Sequence, residues 1–279
     1  MKEKKGIIGG CVVPHPPLLI PEIGGRDLAR VDSTRRAMQD LARQLKKTAP
    51  DVLVMISPHT PMYMDAFGVR LSEEMEGSFT RFGCPHVRLR KKGDLALAQA
   101  VLDGLRNEGL PAEPLSRSGG WLSEGEELDH GLLVPLYYLD QEFDTPIVSL
   151  AISGLDYRSH FQLGRVVREA CERLSRRAVF VASGDLSHRL TPGAPAGYNP
   201  RGREFDRLIV EAAESGDFDA LYRIDEELVE EAGECGFRSL HAMWGALKGD
   251  PLENRVLSYE GPFGVGYMVS LHLRRDLSA

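Results

Sequence analysis

The sequence predicts an α/β sandwich: one domain over residues 1–279, with helices on both faces of a sheet. Three observations carry this. Short, apolar, β-branched runs alternate with segments whose apolar residues recur at helical spacing. No repeat of 20–50 residues and no low-complexity linker divides the chain. Several apolar runs stop at a loop that soon carries a histidine, and in α/β sheets ligands gather beyond the carboxyl ends of the strands.

Gly6 to Val13 reads as a buried strand, stopped by the rigid loop Pro14-His15-Pro16-Pro17. Asp32 to Lys47 places Ala37, Met38, Leu41 and Leu45 at helical spacing, with Asp32 or Ser33 as N-cap. Asp51 to Ile56 is a second buried strand, ending at Ser57-Pro58-His59. Ala66 to Leu71 reads as a strand and Asp94 to Leu105 as a helix. A short helix follows His130, over Gly131 to Leu139. Thr145 to Ile152 is a strand, His160 to Leu174 a helix, and Ala178 to Ala182 a strand stopping at Ser183-Gly184-Asp185. Arg203 to Ser215 and Leu228 to Leu247 are helical, the second interrupted near Gly233 and Gly236. Val256 to Tyr259 and Val265 to Leu273 form a closing pair of strands, with the turn at Gly261 to Gly266 between them. The Pro/Gly-rich stretch Thr191 to Pro200 reads as an active-site loop.

Thirty-four Lys and Arg against 41 Asp and Glu give a net charge of −7. A nucleic-acid binder or a protein of anionic membranes needs a basic face, so neither is expected. The four cysteines form no CxxC pair, and in a chain of this size they read as reduced thiols of a cytoplasmic protein. The charged start, Met1 to Lys5, and the prolines at 14 and 16 make a poor signal sequence. No run approaches the ~20 apolar residues that cross a bilayer.

The chemistry is concentrated in histidines. His15, His59 and His188 follow apolar strands, and His130 follows the polar loop Glu124 to Asp129. One such histidine could simply cap a strand; two in matching proline-stiffened contexts, His15 and His59, point to a metal site. Two imidazoles and a carboxylate suit non-haem Fe(II). Glu230, Glu231 and Glu234 lie ahead of an apolar helix. The first two read as a solvated helix end, whereas Glu234 lies between Gly233 and Gly236, whose backbones can turn it inward. Cys235 is the rival ligand and would favour a softer metal. His188 is a candidate acid/base, and Asp185 either orients an imidazole or caps a turn. His86, His160, His241 and His272 are assigned to structure or surface. No GxSxG surrounds Ser187, and GxGxxG and Walker A patterns are absent.

At these residues the chain resembles the class III extradiol ring-cleavage dioxygenases, in particular the catalytic-subunit-B family, which is related to Memo-like proteins. The resemblance runs through HPPLLIPEIG at His15, SPHTP at His59, GSFTRFGCP at Gly77, ELDHGLLVPL at His130, SGDLSH at His188 and GECGFRSLHAMWGAL at Glu234. It implies a mixed sheet and a facial triad of His15, His59 and Glu234 on Fe(II). It also implies His188 as acid/base near the oxygen site and His130 as a substrate-binding group. The implied reaction inserts both atoms of O2 beside the diol or aminophenol of a catechol-like ring and opens it. The implied partners are a small aromatic substrate, O2 and further subunits, either copies of the chain or a second kind. Memo-like relatives place a cysteine where the dioxygenases place the carboxylate. Cys235 as ligand would therefore fit a metal- or peptide-binding or redox protein without ring cleavage, and a zinc hydrolase on the same ligands is a third reading.

Overall fold

The computed structural model describes residues 5–115 and 127–277. The rest of the charged N-terminal stretch and the first residues of the loop expected from Glu124 lie outside the described residues. In chain order the elements are β1 (Gly6–Val13), α1 (Pro21–Gly24), α2 (Asp32–Thr48), β2 (Val52–Ser57), β3 (Phe67–Arg70), β4 (Glu74–Phe79), β5 (Cys84–Lys92), α3 (Leu95–Asn107) and β6 (Ala112–Leu115). After the gap come α4 (His130–Leu139), β7 (Ile147–Ala151), α5 (Tyr157–Arg173), β8 (Arg177–Ser183), α6 (Arg201–Ser215), α7 (Glu226–Ala232), α8 (Phe237–Leu247), β9 (Leu252–Glu260) and β10 (Tyr267–Arg274).

Eight described strands form one mixed sheet in the order β6-β3-β7-β2-β8-β1-β10-β9. The centre, β7-β2-β8-β1, is parallel. β3 joins β7 antiparallel, and β10 and β9 close the opposite side as antiparallel strands. β4 and β5 pair with each other outside this sheet. The central strands are apolar on both sides because both faces are covered. Along β2, Val52, Val54 and Ile56 enter the core beneath α3, α5, α6 and α8, while Leu53 and Met55 enter the core beneath α2 and α4. In β1 a register shift between Ile7 and Gly9 breaks the alternation. Ile8 and Cys11, three positions apart, thus share the α2 side. Fully burying a side chain such as Leu53 or Phe180 stabilises by about 1.5–3 kcal/mol before entropy is counted.

Most helix starts follow the expected cap chemistry. Asp94 accepts from Leu97 N, Asp129 from Gly131 N and Asp156 from Ser159 N. α2 differs. Asp32 is already helical and its carboxylate engages Arg35 and Arg36, while the Thr34 N–H donates to Glu260 at the end of β9. The expected helix over Leu228 to Leu247 is two helices, divided at Gly233, whose φ of +60° takes the left-handed conformation that ends α7. No helix among the described residues is long and apolar enough to cross a membrane.

Candidate metal centre

Three neighbouring parallel strands deliver the site. β8 lies between β2 and β1, and all three point their carboxyl ends the same way. The loops after them carry His59, Asp185 with His188, and His15, from strands only about 4.8 Å apart. His15 Nε2 and His59 Nε2 stand 2.9 Å from each other. His130, the first residue of α4, places its ring 4.0 Å from the His59 ring and 5.5 Å from the His15 ring.

The His15 ring is fixed by a relay of neighbours. Pro135 lies within α4 and has no N–H to give the Gly131 carbonyl four residues back. That carbonyl accepts from Ser183 Oγ at 2.6 Å. With its one hydrogen committed, the Ser183 oxygen can only accept from His15 Nδ1, 2.9 Å away. His15 therefore carries its proton on Nδ1 and presents Nε2 as a bare lone pair, the form a metal requires. Burial, and then the charges of His59, His130 and His188, hold its pKa well below the usual histidine value.

Asp129 fastens the second histidine loop to α4. Its carboxylate accepts from Ser57 Oγ at 2.7 Å, Thr60 Oγ1 at 2.5 Å and Gly131 N at 2.8 Å, and Ser57 Oγ in turn accepts from His59 N. His59 is held below its usual pKa mainly by burial. His130 is lowered to about 4 by burial and the neighbouring His59, with Asp129 opposing and Arg81 adding to the shift.

The turn between α7 and α8 supplies the remaining groups. Cys235 Sγ lies 3.7 Å from His15 Nε2 and 3.8 Å from His188 Nε2, and it accepts from Asp185 N at 3.3 Å. Its turn is pressed onto the loop after β8. A Cβ at Gly184 would fall 2.1 Å from Gly236 Cα, so only glycine permits this approach. Burial, followed by the charges of Asp185 and Glu234, pushes the thiol well above its ordinary pKa, so it holds its proton unless a cation takes its place. Asp185 Oδ1 accepts from His15 N, while Oδ2 lies 3.9 Å from His15 Nε2 and 4.0 Å from His188 Nε2. Burial raises this carboxyl to about 7.

The expected set is therefore only partly assembled. His15, His59, His130, His188 and Asp185 converge; the Glu234 carboxylate does not join them. Its Oε2 accepts from Phe237 N at 2.5 Å, capping α8, whose N-cap Gly236 has no side chain to do so. Glu234 faces a separate cavity of about 720 Å³ lined also by Tyr157, Glu230 and Arg238, and burial raises it to about 7. Its neighbour Cys235 points inward instead. Among the described residues, two groups bring three ligand atoms within 4.8 Å of one another: His15, His59 and His130, and His15, Asp185 and Cys235. Ser183 and Asp129 also belong to the site. An Asp before an apolar helix is a capping signal, but nothing local marks the hydroxyl of Ser183 as an imidazole's partner.

The remaining histidines are structural or exposed. His160 accepts from Ser153 N, His272 bonds Ser270 and Asn254, His241 is buried among Tyr157, Tyr222 and Phe237, and His86 is exposed.

Comparison with known proteins gives this arrangement relatives. Residues 9–270 match the family described as the catalytic LigB subunit of aromatic ring-opening dioxygenase. Protein CA_C1420 of Clostridium acetobutylicum is 34% identical over 265 residues, which is 94% of this chain but 56% of that protein, so the chain spans little more than half of this relative. The 2-aminophenol 1,6-dioxygenase beta subunit of a Pseudomonas species is 24% identical over 253 residues, covering 81% of this chain and 80% of its own. The crystal structure of an uncharacterized protein, JW3007, from Escherichia coli K12 superposes with a TM-score of 0.63 at 21% identity, covering 95% of this chain and 99% of its own. At that identity the likeness shows a shared fold.

Proposed function

The chain belongs to the family of catalytic LigB subunits of aromatic ring-opening dioxygenases, and from that premise we propose that it is an Fe(II)-dependent enzyme that opens a catechol- or aminophenol-type ring with O2. The proposed metal donors are His15 Nε2, His59 Nε2 and Cys235 Sγ, with Cys235 replacing Glu234 as the third. The observation that carries this is the place of His15 Nε2, within metal-sharing distance of each of the other two atoms, while His59 and Cys235 belong to different groups around it and would have to close on one ion. Metal–nitrogen bonds of about 2.1 Å put two nitrogens about 3 Å apart at a right angle. A metal–sulfur bond of about 2.3 Å puts nitrogen and sulfur about 3.6 Å apart at a tetrahedral angle. Here His15 Nε2 lies 2.9 Å from His59 Nε2 and 3.7 Å from Cys235 Sγ.

When bound, Fe(II) would supply a Lewis-acidic, redox-active centre with open positions for a ring hydroxyl and O2. The chain's own groups do the rest. His188, held below its ordinary pKa by burial and then by His59, is a neutral imidazole at pH 7, and its Nε2 can take a ring hydroxyl's proton and return it later. His130, also neutral, can accept a hydrogen bond from a second ring hydroxyl. The loop from Thr191 to Pro200 folds back on His188, with Ala196 N donating to His188 O and Asn199 N to Arg189 O, and so limits water at this side of the site.

A second reading has its own observation. The Cys235 thiol, rather than the Glu234 carboxylate, lies beside His15 and His188, a cysteine standing where Memo-like proteins have one, and a thiolate favours softer metals. On that reading the chain binds metal without opening rings. Anaerobic Fe(II) reconstitution followed by oxygen uptake with catechols and aminophenols separates the two. Iron-dependent uptake with a yellow ring-opened product supports the first reading, and tight metal binding without uptake the second. Four free cysteines support a reducing, cytoplasmic setting, and the relative named as a beta subunit supports assembly with further subunits.

A further inference from the structure

The motif GSFTRFGCP, beginning at Gly77, builds the tip of the β4–β5 hairpin, which stands apart from the main sheet. Its position against the metal centre is nevertheless fixed. Glu127 N and Leu128 N both donate to Glu76 O, and a Cβ at Gly77 would lie 2.4 Å from Leu128 O. Asp129 and His130 follow directly. The turn is internally tied as well: Ser78 Oγ bonds Thr80 Oγ1 at 2.6 Å and accepts from Thr80 N, and Gly83 N donates to Thr80 O.

The turn's two phenylalanines part company. Phe79 is fully buried, whereas Phe82 stays 37% exposed with its ring edge-on to His130 at 5.3 Å. His130 in turn lies 4.0 Å from His59, so His15, His59, His130 and Phe82 form a row of rings running from the buried donors to the surface. Arg81 is exposed, and its charge acts on His130. Two other basic groups of the hairpin are engaged, Lys91 by Asp140 and Asp144 and Arg90 by Glu76. Among the described residues Arg81 has no hydrogen-bond or ion-pair partner. The chain as a whole carries −7, so an anionic ligand would be drawn to this mouth only by a local cation.

We infer that Arg81 and Phe82 are specificity residues of this site, Phe82 seating the substrate's ring and Arg81 pairing with a carboxylate on it, so that the substrate is an aromatic acid rather than a bare diol. Calling that ligand a substrate rests on the ring-opening reading. The exposed Phe82 face offers a ring an apolar surface and edge or offset stacking. A guanidinium matches a carboxylate with two parallel N–H donors.

The test is anaerobic calorimetry on the purified protein, with and without added Fe(II), using 3,4-dihydroxyphenylacetate and its methyl ester as probes. The acid is expected to bind about tenfold or more tightly than the ester, from one charge-assisted pair. Arg81→Gln should bring that ratio close to one. Phe82→Ala should weaken both probes about tenfold and leave the ratio in place. Equal affinity of acid and ester for the native protein, a ratio that survives Arg81→Gln, or no binding of either probe would each overturn the inference. Both residues are exposed, so unfolding midpoints near the native value check the variants' fold. Absence of ring-opened product from either probe would count against the ring-opening reading, whereas the affinity ratio alone decides whether Arg81 recognises the carboxylate.

Discussion

Ser183 Oγ stands 2.9 Å from His15 Nδ1, and its own hydrogen is given to the Gly131 carbonyl at 2.6 Å. One hydroxyl on β8 thus decides which nitrogen of a histidine after β1 is protonated, because a proline in α4 left a carbonyl unpaired. Removing the hydroxyl should free the ring to change tautomer. Ser183→Ala is expected to lower metal affinity about 10–100-fold. Each of the two orphaned polar groups should cost roughly 1–3 kcal/mol of stability. Competition against a chelator reads the first and urea unfolding the second; native metal affinity in the variant would count against the relay.

Glu234 caps α8 through Phe237 N and is expected to be dispensable for metal. Glu234→Ala should lose about 1 kcal/mol of stability, the usual worth of a cap, and keep native metal stoichiometry. Metal analysis of the dialysed variant checks this, and an empty site in a folded variant would return Glu234 to the ligand set.

His188 is expected to act on protons and not to hold the metal. His188→Ala should retain stoichiometric metal while turnover falls about 10²–10⁴-fold, the range for losing a positioned acid/base. Loss of metal together with activity would show instead that His188 is a ligand.

Asp206 is 1% exposed and accepts from Ser187 N and Tyr259 OH, and burial raises its carboxyl to about 7 despite both donors. The unfolded chain loses this proton near pH 4 and the folded chain near pH 7. Between those values the folded state binds the extra proton, so this group's contribution is full below pH 4 and is lost as pH rises through 7, amounting to at most roughly 4 kcal/mol. Asp206→Asn stays neutral throughout. Relative to the native protein, its stability should therefore improve from pH 4 to pH 8 in urea unfolding. An unchanged difference across that range would contradict the assignment.

The core strands and most helices were legible in the sequence because burial on both sheet faces and one-sided helix burial leave different periodicities. Val52 to Ile56 and Leu97 to Leu105 show this. His15 and His59 were legible because each follows such a strand within a proline-stiffened loop. The β4–β5 hairpin was not. Its second strand, Cys84–Lys92, alternates weakly and includes Lys91, a charged residue buried by pairing with Asp140 and Asp144, some fifty positions away. The choice between Glu234 and Cys235 was not legible either. They are adjacent, so the backbone of one turn decides which faces the histidines. That backbone is set by the contact between Gly184 and Gly236, 52 positions apart in the chain.

His15, His59 and Cys235 are expected to hold a metal together. Anaerobic Co(II) titration tests it most directly, because a thiolate bound to Co(II) gives an intense sulfur-to-metal charge-transfer band in the near ultraviolet. That band is expected at one equivalent of metal in the native protein, with retention in Glu234→Ala and loss in Cys235→Ser. A site that fills stoichiometrically without the band, or a band that persists in Cys235→Ser, would contradict it.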